Sequence, residues 1–318
     1  MTPTPPVPEG FPDWPTFTRK FLLPSRTYLL SFRDQTLPAR RSALIDAQDY
    51  FAGFEDEGHR SQLALLGLIG EAMQAVEDVG VLGHAFMVGM PGLSFYVAAT
   101  SYDPKNVNNF FAQAHKRDND YFLRFAALKL GGISATDFYS HHPPLETEDR
   151  EAIAAAERGT ARLLQNHICW LAKQWERYRQ FFHAYKHGAL LANPNDVQLM
   201  RDRTEVIARM AVWRRRRPTA EIGSNTNTPL SQLASTIVDI GELALDTTDY
   251  IVKTRSSVFE SLRFTEDGSA EETEDAPRAP WTFWFHGGDV EEAHRQRLET
   301  RFGITFESCE AWAPPAAT

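Results

Sequence analysis

The sequence predicts a mainly α-helical protein, an irregular helical bundle around two long antiparallel helices with a small αβ unit appended after residue 280. Three observations carry that prediction. Between residues 147 and 193, apolar or aromatic side chains fall at Ile153, Ala156, Leu163, Leu164, Ile168, Leu171, Trp175, Tyr178, Phe182 and Tyr185. This is the i, i+3, i+4 rhythm of a helix with one buried face. A second long seam begins after the N-cap and first-turn signals Thr228 and Pro229. It runs through Leu230, Leu233, Ile237, Ile240, Ala244, Ile251, Val258 and Leu262. Near the C-terminus, WTFWF, DVEEAHRQRLETRF and ITF read as strand, helix and strand.

The remaining elements follow in order. Residues 1–25 are proline-dense and read as an extended arm, with Phe11, Trp14 and Phe17 available to pin it. TYLLSF at 27–32 has the composition of a short strand. Pro38 sits well in the first turn of a helix through Phe54, with apolar positions at Ala43, Leu44, Ala47 and Phe51. Another helix covers 61–82, its seam at Leu66, Ile69, Met73 and Val76 and its wet face at Glu71, Gln74 and Asp78. Residues 83–102 mix glycine, proline and β-formers, a buried loop with one strand at 93–98. Helical spacing returns from Val107 to Leu128, interrupted near Asp118–Asp120 and stopped by Gly131 and Gly132. Thr147 is the expected N-cap of the long helix, with Glu148 and Asp149 favourable in its first turn. A kink is expected near Gly159, because forty residues of straight helix span about 60 Å. Residues 205–213 fit a helix and a β-hairpin equally poorly. The domain organisation that results is a proline-rich arm (1–25), a bundle (26–264), an acidic linker (265–280) and the αβ unit (281–318).

Composition narrows the function classes. The 318 residues are 42% hydrophobic and 24% charged, ordinary globular usage. No basic segment followed by an apolar one opens the chain, and its longest apolar run, 63–69, is far short of the ~20 residues a membrane helix needs. The expectation is a soluble cytoplasmic protein. Cys169 and Cys309 have no cysteine or histidine partner at metal-site spacing and read as free thiols. A net charge of -9 disfavours wholesale coating by nucleic acid, but charge is uneven. Seven arginines against two acids lie between Arg201 and Arg217, and six acids lie within 265–280.

Phosphate-cradling glycine motifs and the G-x-S-x-G nucleophile elbow are missing from the sequence, and no cofactor is expected. His183 and His187 are spaced to clasp a metal, but the third ligand would have to come from His141, His142 or Asp239. A di-iron bundle needs two E-x-x-H motifs on core helices, and only Glu291–His294 is found. The expectation is no metal. Trp213 and Arg214, Arg215, Arg216 and Arg217 form a candidate nucleic-acid grip, with guanidinium groups for phosphates and an indole for a base. Lys186 joins that set. The same run also suits an acidic protein partner.

The end of the long helix holds the leading chemical candidate. Arg179, His183 and His187 recur every four residues, with Lys186 beside them and Gly188 as a stop. Imidazoles move protons near neutral pH, and a guanidinium steadies a phosphate that gains charge. Alternatively, these residues are a polar face favoured by the helix C-terminal dipole. Arg177 and His183 are separated by five residues, and Lys186, His187 and Gly188 close the helix. A long helix with this arginine–histidine spacing resembles the HEPN superfamily, helical proteins whose R-x(4–6)-H motif serves RNA cleavage in many toxin and defence members. The resemblance implies a metal-independent ribonuclease in which His183 or His187 carries the proton and Arg177 or Arg179 stabilises phosphate charge. It also implies a homodimer that pairs two such helices. Two readings therefore stand at this point: an interaction or structural module without catalysis, partnered by RNA or an acidic protein, and the ribonuclease.

Overall fold

The computed structural model describes residues 16, 23–54, 59–88, 95–101, 103–114, 116, 146–186, 200–202, 205–207, 210–214, 217–222, 229–261, 282–285 and 292–308. In order they form α1 (Leu23–Ser31), a π-helical segment (Phe32–Thr36), α2 (Leu37–Ala52), α3 (His59–Val88), α4 (Phe95–Thr100) and α5 (Pro104–Ala114). There follow α6 (Thr147–Lys186), the strands β1 (Met200–Asp202), β2 (Glu205–Ile207), β3 (Met210–Arg214) and β4 (Arg217–Ile222), and α7 (Leu230–Ser261). The last elements are β5 (Thr282–Phe285), α8 (Glu292–Phe302) and β6 (Thr305–Ser308). The protein is mainly helical with a small αβ unit, as its periodicities predict. Among the described residues, no helix is long and apolar enough to cross a membrane.

Two compact units are distinguished. One comprises 1–34, 80–170 and 249–318, the other 35–79 and 171–248. The helices α3, α6 and α7 each contribute to both. α6 gives its first part to the first unit and its second part to the second, whereas α7 does the reverse.

In the first unit, α3 ends against α5. A Cβ placed at Gly80 would lie 2.6 Å from Val107 Cγ1 and 2.9 Å from Phe111 Cε2, and one at Gly83 would lie 2.6 Å from Phe110 Cε2. These glycines are notches that admit the aromatic rings of α5. Strands β5 and β6 pair in parallel, in the register Thr282↔Thr305 to Phe285↔Ser308, with α8 between them in sequence. The free edge of β5 is finished by α6. Thr160 Oγ1 donates to the carbonyl of Trp284 at 3.1 Å and accepts its N–H at 3.0 Å, a side chain serving as a neighbouring strand would. Tyr250 Oη donates to the carbonyl of Thr282 at 2.9 Å, and the Tyr250 and Trp284 rings lie 4.0 Å apart. His167 is buried against the same indole at 5.3 Å, and Lys253 forms an ion pair with Glu307.

The αβ unit is also clamped to the start of α6. Asp149 is 1% exposed, and its Oδ2 accepts from Arg301 Nη1 at 2.8 Å and Arg297 Nη2 at 3.2 Å. Its Oδ1 lies 2.9 Å from Arg297 Nε without hydrogen-bond geometry. Glu146 accepts from the same two arginines at 2.6 and 3.1 Å. Those bonds, with Arg297 Nη2 the strongest cause, hold the Glu146 carboxyl below its usual range.

The second unit is built where α2, α3 and α7 converge. A Cβ at Gly241 would meet Leu44 Cδ2 at 2.7 Å and the Ala72 backbone at 3.3 Å. Leu37, Leu44 and Phe51 of α2 are buried at seven-residue spacing, an inward stripe on an otherwise wet helix.

Four expectations change. The segment 27–32 is not a strand: α1 begins at Leu23, so helix also replaces the last residues of the extended arm. Leu29 and Phe32 are buried three residues apart, the helical choice for an apolar run too short to fix its own period. Over its described part, 95–98, the expected strand is instead α4, where consecutive Ala98 and Ala99, which lose little entropy in a helix, are both buried. α6 runs continuously through Gly159, from Thr147 to Lys186. Its first hydrogen bond, Arg150 N–H to the Glu146 carbonyl at 3.0 Å, makes Glu146 rather than Thr147 the cap position. Residues 205–213 resolve toward hairpins, with β1 paired to β2 and β3 to β4, both antiparallel. The expected arm up to residue 15, the helix beyond Lys116, the linker 265–280 and Cys309 lie outside the described residues.

Candidate functional site

The polar end of α6 is positioned by its apolar seam. Trp175, Tyr178 and Phe182 are buried, which turns Arg177, Arg179, His183 and Lys186 toward the helix margins. At 100° per residue, Arg179 and His183 lie about 40° apart and Arg177 about 120° from His183. Arg177 is exposed, and its guanidinium carbon lies 5.3 Å from the centre of the Tyr178 ring. Arg179 is half-buried. The His183 imidazole is half-buried as well, edge-on to Trp175 at 5.8 Å and 5.7 Å from Phe182.

Lys186 has a defined structural partner. Its Nζ donates to Glu77 Oε2 at 2.8 Å and lies 5.1 Å from the Phe182 ring centre. Glu77 is 2% exposed, on the inward side of α3. Gln74 donates to Glu77 Oε2 at 3.0 Å and to Asp78 Oδ1 at 3.3 Å, and Arg40 Nε donates to Asp78 Oδ2 at 2.8 Å. The result is a polar chain, Arg40–Asp78–Gln74–Glu77–Lys186, that ties α2 and α6 to α3. Burial pushes the Asp78 carboxyl above its usual range, opposed by the Arg40 charge and the hydrogen bonds from Arg40 and Gln74.

This chain corrects the wet face assigned to α3. The Asp78 side chain is only 13% exposed and Gln74 is half-buried. Glu77 was not singled out by sequence. The signal available was the Glu77–Asp78 doublet inside AVEDVGVL, two acids in a helix otherwise apolar on both sides of them.

A buried phenol completes this part of the helix. Tyr178 is fully buried, and its Oη has no hydrogen-bond partner among the described residues. Burial raises its pKa, with the Arg177 charge opposing. His187 and Gly188 lie outside the described residues, so Arg179, His183 and Lys186 are the members of the sequence cluster seen to share one side of α6.

Of the second candidate, the arginine run, Arg214 ends β3 and Arg217 opens β4. The register pairs Met210 with Ile222, Ala211 with Glu221, Val212 with Ala220, Trp213 with Pro218 and Arg214 with Arg217. It shifts between Val212 and Trp213, leaving Thr219 as the extra residue of a bulge. Arg215 and Arg216 lie outside the described residues.

A third polar grouping, which sequence did not nominate, lies in the first unit. Val81, His84, Ala98, Ser101, Asp103, Asn106 and Val107 line a shallow surface cleft. Burial holds the His84 imidazole below its usual pKa, with the Asp103 charge opposing. Asp103 is already engaged as the cap of α5, its Oδ1 accepting the Lys105 N–H at 2.8 Å.

Among the described residues, no group of three His, Cys, Asp or Glu is placed to hold a metal ion. The Cys169 thiol donates to the Ala114 carbonyl at 3.6 Å. Compared with known protein families, with curated proteins and with solved structures, the chain matches none.

Proposed function

We propose that this chain is a helical interaction protein without catalysis of its own, and that its partner is a polyanion, either RNA or an acidic protein. The observation that carries the reading is the Lys186–Glu77 pair. The basic residue nearest the end of the candidate cluster neutralises a buried carboxylate, a structural task that a transition-state contact would have to disrupt. His183 packs against two rings, and Arg177 lies over a third. These are the contacts of a helix end being held in place.

A second reading, the HEPN-like ribonuclease, is favoured by one observation. Arg179 and His183 are both half-buried and lie on the same side of α6. There the 2′-hydroxyl of RNA would attack phosphorus and the 5′-oxygen would leave. His183 or His187 would move the proton, and Arg179 or Arg177 would steady the phosphoryl charge. This reading implies a homodimer. Incubation of total RNA with the protein, in chelator, separates the two. The interaction reading expects intact RNA with the wild type and with His183→Ala/His187→Ala alike. Cleavage by the wild type that the double variant abolishes replaces it with the ribonuclease.

A further inference from the structure

We propose that the cleft of His84, Ser101, Asp103 and Asn106 is a site for one divalent transition-metal ion of the zinc or nickel kind, held by an imidazole nitrogen, a carboxylate oxygen and the neutral oxygens of an amide and a hydroxyl. All four residues belong to the first unit, where the end of α3, the turn after α4 and the start of α5 line one opening. The close approach of Gly80 to Val107 brings these elements together. His84 is one helical turn beyond Gly80 on α3, and Asp103 is one turn before Val107. Asp103 is the N-cap of α5 and Asn106 its third helical residue, two positions whose side chains are neighbours across the first turn.

Structural duties account for little of this polar set. The cap bond from the Lys105 N–H occupies Asp103 Oδ1, and Oδ2 is left to meet a cation. Among the described residues, the side chains of His84, Ser101 and Asn106 make no hydrogen bond. Four groups with lone pairs thus share one cleft, and a single bond within the fold uses any of them. Among the described residues, no lysine or arginine lines the cleft to balance the carboxylate.

The donor set selects the ion. Calcium and magnesium are held by shells of oxygen, whereas an imidazole suits zinc, nickel or copper(II). No thiolate lines the cleft to favour a softer ion. Val81, Ala98 and Val107 give it an apolar wall, and low polarity strengthens the attraction between a carboxylate and a cation. Burial holds the His84 imidazole below its usual pKa, with the Asp103 charge opposing. At neutral pH the ring therefore already offers a lone pair, and the ion enters without displacing a proton. One histidine and one carboxylate are fewer strong ligands than a closed zinc site has, and the cleft is shallow. Water completes the shell, and the ion exchanges.

The test uses the full chain, freed of metal with chelator, in calorimetric titrations with Zn2+, Ni2+ and Mg2+ at about pH 7. The expected result is one Zn2+ or Ni2+ bound at the cleft, with a heat that does not depend on the buffer's own ionisation, and much weaker Mg2+. Asp103→Asn keeps a good N-cap for α5 while removing the charge. His84→Gln removes the imidazole. Each is expected to weaken the binding at least about 10-fold, a loss that changes one shell further out already produce. Helical circular dichroism should stay unchanged. His183→Ala/His187→Ala controls for the histidine pair on α6 and should leave the binding intact. Failure of the wild type to bind Zn2+ or Ni2+ overturns the proposal. So does binding that survives both cleft variants, binding lost from the control variant instead, or Mg2+ held as tightly as Zn2+. Should His84→Gln fail to fold, Asp103→Asn decides alone.

Discussion

At the scale of single residues, the side chains that matter most are polar ones in apolar surroundings. Thr160 satisfies both the N–H and the C=O of Trp284. Thr160→Val keeps the shape and removes both bonds, leaving two buried backbone groups unpaired. Urea unfolding should show a loss of about 2 kcal/mol. No change would mean that β5 finds other partners. Lys186 answers a buried carboxylate in the same way. Lys186→Ala should destabilise by about 1–2 kcal/mol, since a buried charge then lacks its partner while the removed lysine was partly solvated. Adding Glu77→Gln to that variant should restore part of the loss. If the second change only deepens it, the pair is not the unit described here. Asp78 gives a signed dependence on pH. Its carboxyl is raised in the folded chain, mainly by burial. Folding therefore favours the protonated form, and this contribution is present below the unfolded pKa and lost as pH rises through the folded one. Asp78→Asn should flatten the stability profile in that window.

At the scale of elements, glycine placement on α3 explains how its neighbours approach. Gly83→Ala drives a methyl into the Phe110 ring, and Gly80→Ala into Val107 and Phe111. Each should cost about 1–3 kcal/mol. Gly67 is the internal control, because an added Cβ there meets nothing within 4 Å. Gly67→Ala should raise the melting temperature, by up to about 1 kcal/mol of helix propensity. A melt in which all three variants behave alike would contradict the notch geometry. Such features are not written in periodicity. The seams of α6 and α7 were legible because many apolar positions repeat with one period, from Ile153 to Phe182 and from Leu230 to Ile251, although Tyr185, expected in the α6 seam, is exposed. α1 and α4 were not, because TYLLSF and the 93–98 segment are too brief to separate period two from period 3.6. For candidate sites, the sequence pointed to the basic end of α6 and to the arginine run. It could not show that Lys186 reaches Glu77, since that pairing spans 109 residues and depends on how α3 and α6 pack.

At the scale of the whole molecule, charge organises what packing leaves open. The αβ unit is fastened to α6 through Glu146 and Asp149 by Arg297 and Arg301. Glu146 is depressed chiefly by its hydrogen bond from Arg297. Its contribution is present above the unfolded pKa and lost as pH falls through the folded one, opposite in sign to that of Asp78. Thermal melts of wild type and Arg297→Gln between about pH 3 and pH 7 should therefore converge at the acid end. A constant difference across the range would show that the clamp acts by packing alone. The chain as a whole carries a formal charge of -9, while seven arginines lie in sequence between Arg201 and Arg217. On the proposed function, the basic end of α6 is structural and the protein binds without cutting. The most direct measurement is gel analysis of total RNA after incubation with wild type and with His183→Ala/His187→Ala. Intact RNA is expected in both lanes, and cleavage confined to the wild type would contradict the proposed function.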